Sequence, residues 1–377
     1  MHPLIFTLVL LAAFSLLNMY ISKRLITHLD ISVKQKNLFH LFLYLNLFGI
    51  LLYALGRYYI DFPNWLYFLF SLPIGVVFLL FCSAVIYDIL RVMLKLTPLE
   101  ENRRKFFKQS LDISSVVVAS SITARSIYEA RHVVLEDVNI KIKDLKQEYK
   151  ILQLSDIHIG GLIDAAFIKG IVARVNDCKP DLVVITGDLV DIDIQKAHDT
   201  LEELKYLDSK YGTFFIVGNH EYFHDIEAII KRVKELGIRV LENENIYIGE
   251  INTGFNLVGV YDLFGYRAEK YMPNITKALQ KRELSSPTIL LAHQPKFLEE
   301  VDDTQNIDLV LSGHTHGGQL LPFKLLVKLQ QPYISGLHQH TPKTQIYVNK
   351  GTGFWGPPMR LGASAEITQI RLKPTVS

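Results

Sequence analysis

The chain has only two cysteines, Cys82 and Cys178, in 377 residues. A disulfide framework is excluded, so the fold must rest on its buried core and on any metal that it binds. Neither sign of charge dominates: 40 Lys and Arg stand against 38 Asp and Glu. The near balance removes the general electrostatic reason to expect a nucleic-acid partner. Internal repeats and low-complexity tracts are also missing. What the first hundred residues lack is charge. Leu, Phe, Ile and Tyr dominate up to Leu96, and charged side chains become frequent only after Glu100. A lipid-solvated part therefore gives way to a water-solvated one.

Three segments, Leu4–Ile21, Leu38–Leu55 and Trp65–Ile86, carry almost no charge. Each is close to the ~20 residues that cross a ~30 Å hydrocarbon core at ~1.5 Å per residue. A cleavable signal peptide would explain one such segment but not three. Pro73 and Gly75 predict a kink packed on a neighbouring helix. The first loop holds Lys23, Arg24, Lys34 and Lys36, the second only Arg57 against Asp61, and Arg91, Lys95, Arg103, Arg104, Lys105 and Lys108 follow the third span. The positive-inside bias places the first loop and the 91–108 stretch in the cytoplasm and the amino terminus outside. A weaker apolar segment at 111–124 follows Arg103-Arg104-Lys105-Phe106-Phe107-Lys108, which resembles a twin-arginine export motif. If it crosses, the soluble domain lies outside the cytoplasm; otherwise it is a helix on the membrane surface behind a basic anchor. The expected organisation is a helical transmembrane region over 1–130 and a soluble domain over 131–377.

The soluble part alternates short β-branched runs with amphipathic stretches. Strands are expected at 133–142, 150–154, 181–186, 213–217, 255–260, 288–292, 307–311, 345–348 and 366–372, and helices near 165–178, 195–209, 225–236 and 274–282. The strands are apolar without strict alternation, as expected for a sheet covered on at least one face. Asp144–Lys150 has the polarity of a hairpin connection.

The ends of these strands are unusual. Ile151–Ser155 runs into Asp156-Ile157-His158, and Leu182–Thr186 into Gly187-Asp188. Phe214–Val217 runs into Gly218-Asn219-His220-Glu221, Ile289–Ala292 into His293, and Leu309–Ser312 into Gly313-His314-Thr315-His316. Open α/β sheets bind ligands at the carboxyl ends of their strands. In extended chain, residues two apart project to one side, which would pair Asp156 with His158 and His314 with His316. One such ending is an ordinary turn signal. Five, all rich in the side chains that bind Mn, Fe or Zn, point to a metal site. A carboxylate such as Asp188 can bridge two cations ~3.5–4 Å apart.

Together these five motifs resemble the calcineurin-like metallophosphoesterase superfamily, over about residues 149–319. Gly351-Thr352-Gly353 through Pro357, Arg360 and Glu366-Ile367-Thr368 are similar to its bacterial membrane-anchored branch, which includes UDP-diacylglucosamine pyrophosphatases. The resemblance implies a four-layer α-β-β-α sandwich behind the transmembrane region. It implies two divalent metal ions, Mn, Fe or Zn: one held by Asp156, His158, Asp188 and His316, the other by Asp188, Asn219, His293 and His314. His220 would be the general acid or a donor to the phosphoryl oxygens. Glu221 stands where many members have Asp, at a position that binds no metal in the family.

Weaker expectations attach to other residues. Asp191 is expected to support the ligands or cap a helix rather than bind metal. Arg360 is a candidate for a second phosphate, and His224, His338 and His340 are expected in loops. Leu320–Leu329 mixes apolar and basic residues, suiting either a membrane-surface contact or a core strand. The expected partners are the lipid bilayer and a phosphorylated lipid or small molecule, with the protein in a bacterial inner membrane and its catalytic domain outside the cytoplasm. The expected activity is hydrolysis of a phosphoester or pyrophosphate of a lipid or envelope molecule. The alternatives are a phosphodiesterase for a soluble nucleotide and a metal-binding module without catalysis.

Overall fold

The computed structural model describes residues 3–375. The apolar runs at its start fold as three long helices, α1 (Pro3–Arg24), α2 (Val33–Tyr58) and α3 (Asn64–Leu96). All three are long and apolar enough to cross a membrane. Ser32 and Gln35 form a capping box that starts α2. Pro73 does lie inside α3, and its ring packs on Gly49 of α2, where a Cβ would come within 2.8 Å of it. A fourth helix, α4 (Glu101–Arg131), contains the whole weak segment at 111–124.

Two polar knots tie these helices together. Asp88 on α3 is paired with Arg24 at 2.7 Å and Arg91 at 3.1 Å. Asp112 on α4 accepts from Lys108 Nζ at 2.7 Å, from Tyr87 Oη at 2.8 Å and from the N–H of Asp30 at 2.8 Å. The chain divides into two compact units. The helical unit runs through Glu129 and includes Gly356–Leu361; Ala130–Trp355 and the residues from Gly362 onward form the second.

The second unit holds β1 (Val134–Ile142), β2 (Tyr149–Leu154), α5 (Ala165–Asp177), β3 (Leu182–Thr186), α6 (Ile194–Glu202), β4 (Thr213–Ile216), α7 (Ile226–Glu235) and β5 (Arg239–Val240). It continues with β6 (Glu244–Ile248), β7 (Phe255–Gly259), α8 (Phe264–Ala268), α9 (Ile275–Ala278), β8 (Thr288–Leu291) and β9 (Leu309–Ser312). Last come α10 (Lys324–Val327), β10 (Gly336–Gln339), β11 (Gln345–Val348) and β12 (Glu366–Pro374). Two six-stranded sheets result, in the orders β1-β12-β2-β3-β4-β5 and β10-β11-β9-β8-β7-β6.

The continuous apolar strands make sense because both faces of each sheet are covered. In the first sheet Leu152, Leu154, Val183, Ile185 and Phe215 face the core under α5–α7. Their neighbours Ile151, Leu182, Val184, Phe214 and Ile216 face the other way, against Leu257, Ile289, Leu291, Leu309 and Leu311 of the second sheet. That sheet turns Val258, Leu290, Val310 and Ile346 outward onto Ile275, Ala278, Phe297 and Leu298. The layers run helix, sheet, sheet, helix.

The expected hairpin at Asp144–Lys150 is overturned. β1 and β2 do not pair, because β12 lies between them, parallel to β1 and antiparallel to β2. A strand arriving from over two hundred residues away cannot be read from local turn chemistry. β5, β6 and β10 were not anticipated, and the helix expected at 274–282 shrinks to the four residues of α9. Strands β2, β3 and β4 run parallel, as do β7, β8, β9 and β11.

Candidate metal centre

The residues following β2, β3, β4, β8 and β9 converge into three overlapping side-chain clusters. One is Asp156, His158 and His316; another is Asp188, His293 and His314; the third joins His158 to Asp191 and His220. Within each, one ligand atom per residue lies within 4.8 Å of the others. The nearest approaches are His158 Nε2 to His316 Nε2 at 3.0 Å, His316 Nε2 to Asp156 Oδ1 at 3.4 Å, and His314 Nδ1 to His293 Nε2 at 3.3 Å. Asp188 Oδ2 stands between the first two clusters, 3.2 Å from His293 Nε2 and 3.9 Å from His158 Nε2.

The backbone achieves this differently from the extended geometry expected of the strand ends. Asp156, His158, Asp188, His314 and His316 all have positive φ, between 50° and 69°. Side chains two apart are aimed together by a left-handed bend, not by the pleat of a strand. Each such residue costs on the order of 1 kcal/mol, a strain that persists only where the surroundings fix it. Two glycines make room for the bends. A Cβ on Gly218 would fall 2.2 Å from Asp188 Oδ1, and one on Gly313 would fall 2.3 Å from Asp156 Oδ2.

Hydrogen bonds fix the aim of Asp156 and His293. Asp156 accepts from Ser155 Oγ at 2.6 Å and from the N–H of His314 at 2.9 Å. His293 Nδ1 donates to the Thr186 carbonyl at 2.7 Å, which turns Nε2 toward Asp188. The side-chain oxygen of Asn219 is buried and has no hydrogen-bond partner. An orphaned buried acceptor is costly unless a cation takes it. Among the described residues only histidines come within ion-pair distance of Asp156 and Asp188. Oxygen and imidazole donors with uncompensated carboxylates fit a pair of divalent ions.

Electrostatics supports the same fit. Burial pushes His158 and His314 down to about 3, so both are neutral, as ligands must be. Burial pushes Asp156 up to about 6. Burial would also raise Asp188, but His293 and His220 outweigh it and hold the carboxyl well below its usual range. Burial opposes protonation of His293, yet Asp188 draws it well above the ordinary value, with a proton where a cation's charge would otherwise act. His220 stands beside the first two clusters with Nε2 3.9 Å from Asp188 Oδ2 and Nδ1 2.8 Å from Asp191 Oδ1. Burial lowers its pKa, but Asp188 and the bond to Asp191 raise it to about 9.

Glu221, which the sequence reading set aside, is wholly buried. Its Oε1 accepts from the N–H groups of Leu189 and Val190, and its Oε2 from those of Gly218 and Asp188. Four bonds staple the loop carrying Asp188 to the loop carrying Asn219. Its place next to His220 was the only signal in the sequence. Phe223 and Trp355, both about half exposed, set their rings on His220 at 5.3 and 5.9 Å. Nothing local in the sequence places Trp355 there. His224 Nε2 lies 3.8 Å from Asp191, whereas His338 sits on β10. Arg360 falls in the stretch that folds with the helical unit; it is fully buried and its N–H donates to the Ser126 carbonyl at 2.8 Å.

The pattern matches known proteins as well. Residues 149–318 fit the family described as calcineurin-like phosphoesterase. A Helicobacter pylori metallophosphoesterase is 41% identical over 313 residues, 83% of this chain and 84% of that one. A Campylobacter jejuni metallophosphoesterase is 34% identical across 98% of both chains. A zebrafish (Danio rerio) transmembrane protein with a metallophosphoesterase domain is 31% identical over 82% of this chain and 74% of its own. The chain belongs to the metallophosphoesterase family, and with it to the metal-dependent hydrolases of phosphate esters. Its apolar helices and this relative mark it as a membrane protein.

Proposed function

We propose that this protein hydrolyses a phosphoester or pyrophosphate bond of a lipid or cell-envelope molecule, using two divalent ions of the Mn, Fe and Zn group. Asp156, His158, Asp188 and His316 would hold one ion, and Asp188, Asn219, His293 and His314 the other. The observation that carries the metal assignment is the position of Asp188 Oδ2 between the first two clusters, the place of a bridging ligand. Two such ions would neutralise the phosphoryl oxygens and make water acidic enough to attack near neutral pH.

The chain's own part is proton handling and shape. His220 gives the proton on Nε2 to the departing oxygen, and Asp191 fixes the ring through Nδ1. Phe223 and Trp355 give the rim an apolar character suited to a lipid-linked phosphate, which a chain with three spanning helices meets at high local concentration.

We further place the protein in a bacterial inner membrane with the second unit outside the cytoplasm. The packing of α4 supports this. Lys108 and Asp112 bind His28 and Asp30 in the basic first loop. From there Ser115, Val116, Ala119 and Thr123 line one groove with Ile21, Phe42, Val76 and Leu80 of α1–α3. The helix thus runs back along the spans, and Ser126 lies 14 residues beyond Asp112, ~20 Å along the axis.

The test is hydrolysis, by the purified full chain, of a chromogenic phosphodiester, a phosphomonoester and a lipid-linked pyrophosphate, each with Mn²⁺ and with chelator. The lipid-linked substrate is expected to turn over fastest, only with metal, and not in Asp188→Asn. Preference for a soluble nucleotide diester would overturn the lipid assignment while leaving the hydrolase intact.

A further inference from the structure

Large apolar side chains left in water are scattered over most of the second unit, but not at residues 321–329. Leu321, Phe323, Leu325, Leu326 and Leu329 are all exposed there, Leu325 at 66% and Leu329 at 82%. By its sequence this stretch suits either a core strand or a membrane-surface contact. It forms the short helix α10 and its flanks, and it pairs with no strand. Soluble proteins seldom leave such a cluster open unless it binds something. Lys324 and Lys328 lie one helical turn apart within it, and no acidic residue occurs between Leu320 and Lys343. Apolar side chains mixed with lysines and free of acids are the composition that settles at the interface of an anionic bilayer.

The position of this patch ties it to the metal centre. Gly318, two residues after the ligand His316, has a φ of +83°, and a Cβ on it would meet Lys324 Cα at 2.5 Å. The patch is therefore pressed against the loop that carries His314 and His316. Gln319 makes two bonds to the backbone of Trp355, from Nε2 to the carbonyl at 2.8 Å and from the Trp355 N–H to Oε1 at 3.1 Å. Trp355 in turn sets its ring on His220. Leu321 packs on Gly362.

We propose that residues 321–329 dock on the surface of an anionic lipid bilayer and present membrane phosphates to the metal centre. This deepens the lipid-substrate assignment and rests on it only for the second half of the statement. Docking brings the apolar side chains of α10 out of water, sets the two lysines among lipid phosphates, and holds the metal loop at the interface. A lipid then needs only partial extraction for its phosphate to reach Asp188 and His220.

The test uses the full chain with Cys82 and Cys178 replaced by serine and Leu325→Cys carrying an environment-sensitive fluorophore. The protein is placed in nanodiscs of phosphatidylglycerol in which part of the lipid bears a quenching group high on the acyl chain. A matched label at Leu284→Cys, an exposed leucine elsewhere in the unit, is the control. The label at 325 should be quenched several-fold more than the control, and less so in neutral phosphatidylcholine. Equal quenching at both sites would overturn the docking. So would protection of the label that grows with protein concentration and ignores the quencher, since a second copy would then cover the patch.

Kinetics separates the two layers of the idea. Replacing Leu325, Leu326 and Leu329 together with glutamate should lower the ratio of lipid to soluble diester turnover about tenfold. Strong quenching at 325 with no hydrolysis of any lipid phosphate would keep the docking and refute the lipid substrate. Lipid hydrolysis with an unchanged ratio in the triple variant would keep the substrate and refute the docking.

Discussion

Both units of this protein bury acids, and the acids of the candidate metal centre are treated in the opposite way from those of the helical unit. In the helical unit Asp88 has Arg24 and Arg91, and Asp112 has Lys108, a tyrosine hydroxyl and a backbone N–H. Both of these acids find their partners within the chain, so they act as rivets between helices. In the second unit Asp156 and Asp188 are at least as deeply buried and have no lysine or arginine among the described residues, only histidines. An unpaired buried carboxylate costs several kcal/mol. The shortage of positive charge is thus a feature of the design: the missing partner is one that comes from solution. The same residue type is structural where its counter-charge is supplied and functional where it is withheld.

The sharpest way to break this contrast is to remove one acid from each side. Asp188→Asn keeps shape but loses the shared charge, so turnover should fall by a factor of about a thousand or more. Bound metal, read by elemental analysis, should drop below two ions per chain, while the melting temperature in chelator stays the same or rises. Lys108→Met does the reverse. It strands Asp112 without its cation, which should cost about 2–4 kcal/mol and lower the melting temperature by several degrees. Its turnover of a soluble phosphodiester at low temperature should match that of the unaltered chain. Equal loss of metal in both variants would mean that the two kinds of acid do not differ as argued.

How much of this could be read from the sequence follows from range. The apolar spans, the parallel strands and the polar residues at their carboxyl ends are local patterns, and the fold brings six of the seven candidate ligands, all but Asn219, into side-chain clusters. The place of β12 between β1 and β2, and of Trp355 on His220, depends on segments far apart in the chain, for which periodicity carries no information. The left-handed backbone at five ligands was equally hidden, since Asp and His, unlike Gly, do not announce it. The bonds of Glu221 are hidden from the sequence for a related reason. Its side chain binds through four backbone donors, three in the loop of Asp188 and one, Gly218, in its own. Glu221→Gln replaces one acceptor oxygen by an N–H₂ donor facing N–H groups. Metal affinity and turnover should fall together about 10–100-fold. A variant that lost stability but bound Mn²⁺ normally would show the staple to be structural alone.

The smallest expected effect concerns protons, and its sign follows from the same shortage of cations. Where a cation's charge is wanted and none is supplied, protons substitute. His293 is drawn toward its charged form by Asp188, and Asp156 is pushed by burial up to about 6. Both protons must leave before metal can bind. His158 and His314, held near 3, are already neutral and release none. Acidification from pH 7 to 5 fills the Asp156 site with a proton that a cation must displace. Mn²⁺ affinity should therefore fall on acidification, approaching about tenfold per pH unit for that group alone below its pKa. Calorimetric titration at pH 7 in buffers of different ionisation enthalpy should find net proton release on binding. In Asp188→Asn the pull on His293 is gone, so that variant should release fewer protons. Proton uptake on binding, or a release that Asp188→Asn leaves unchanged, would contradict the idea that the buried acids of this unit await charge from outside.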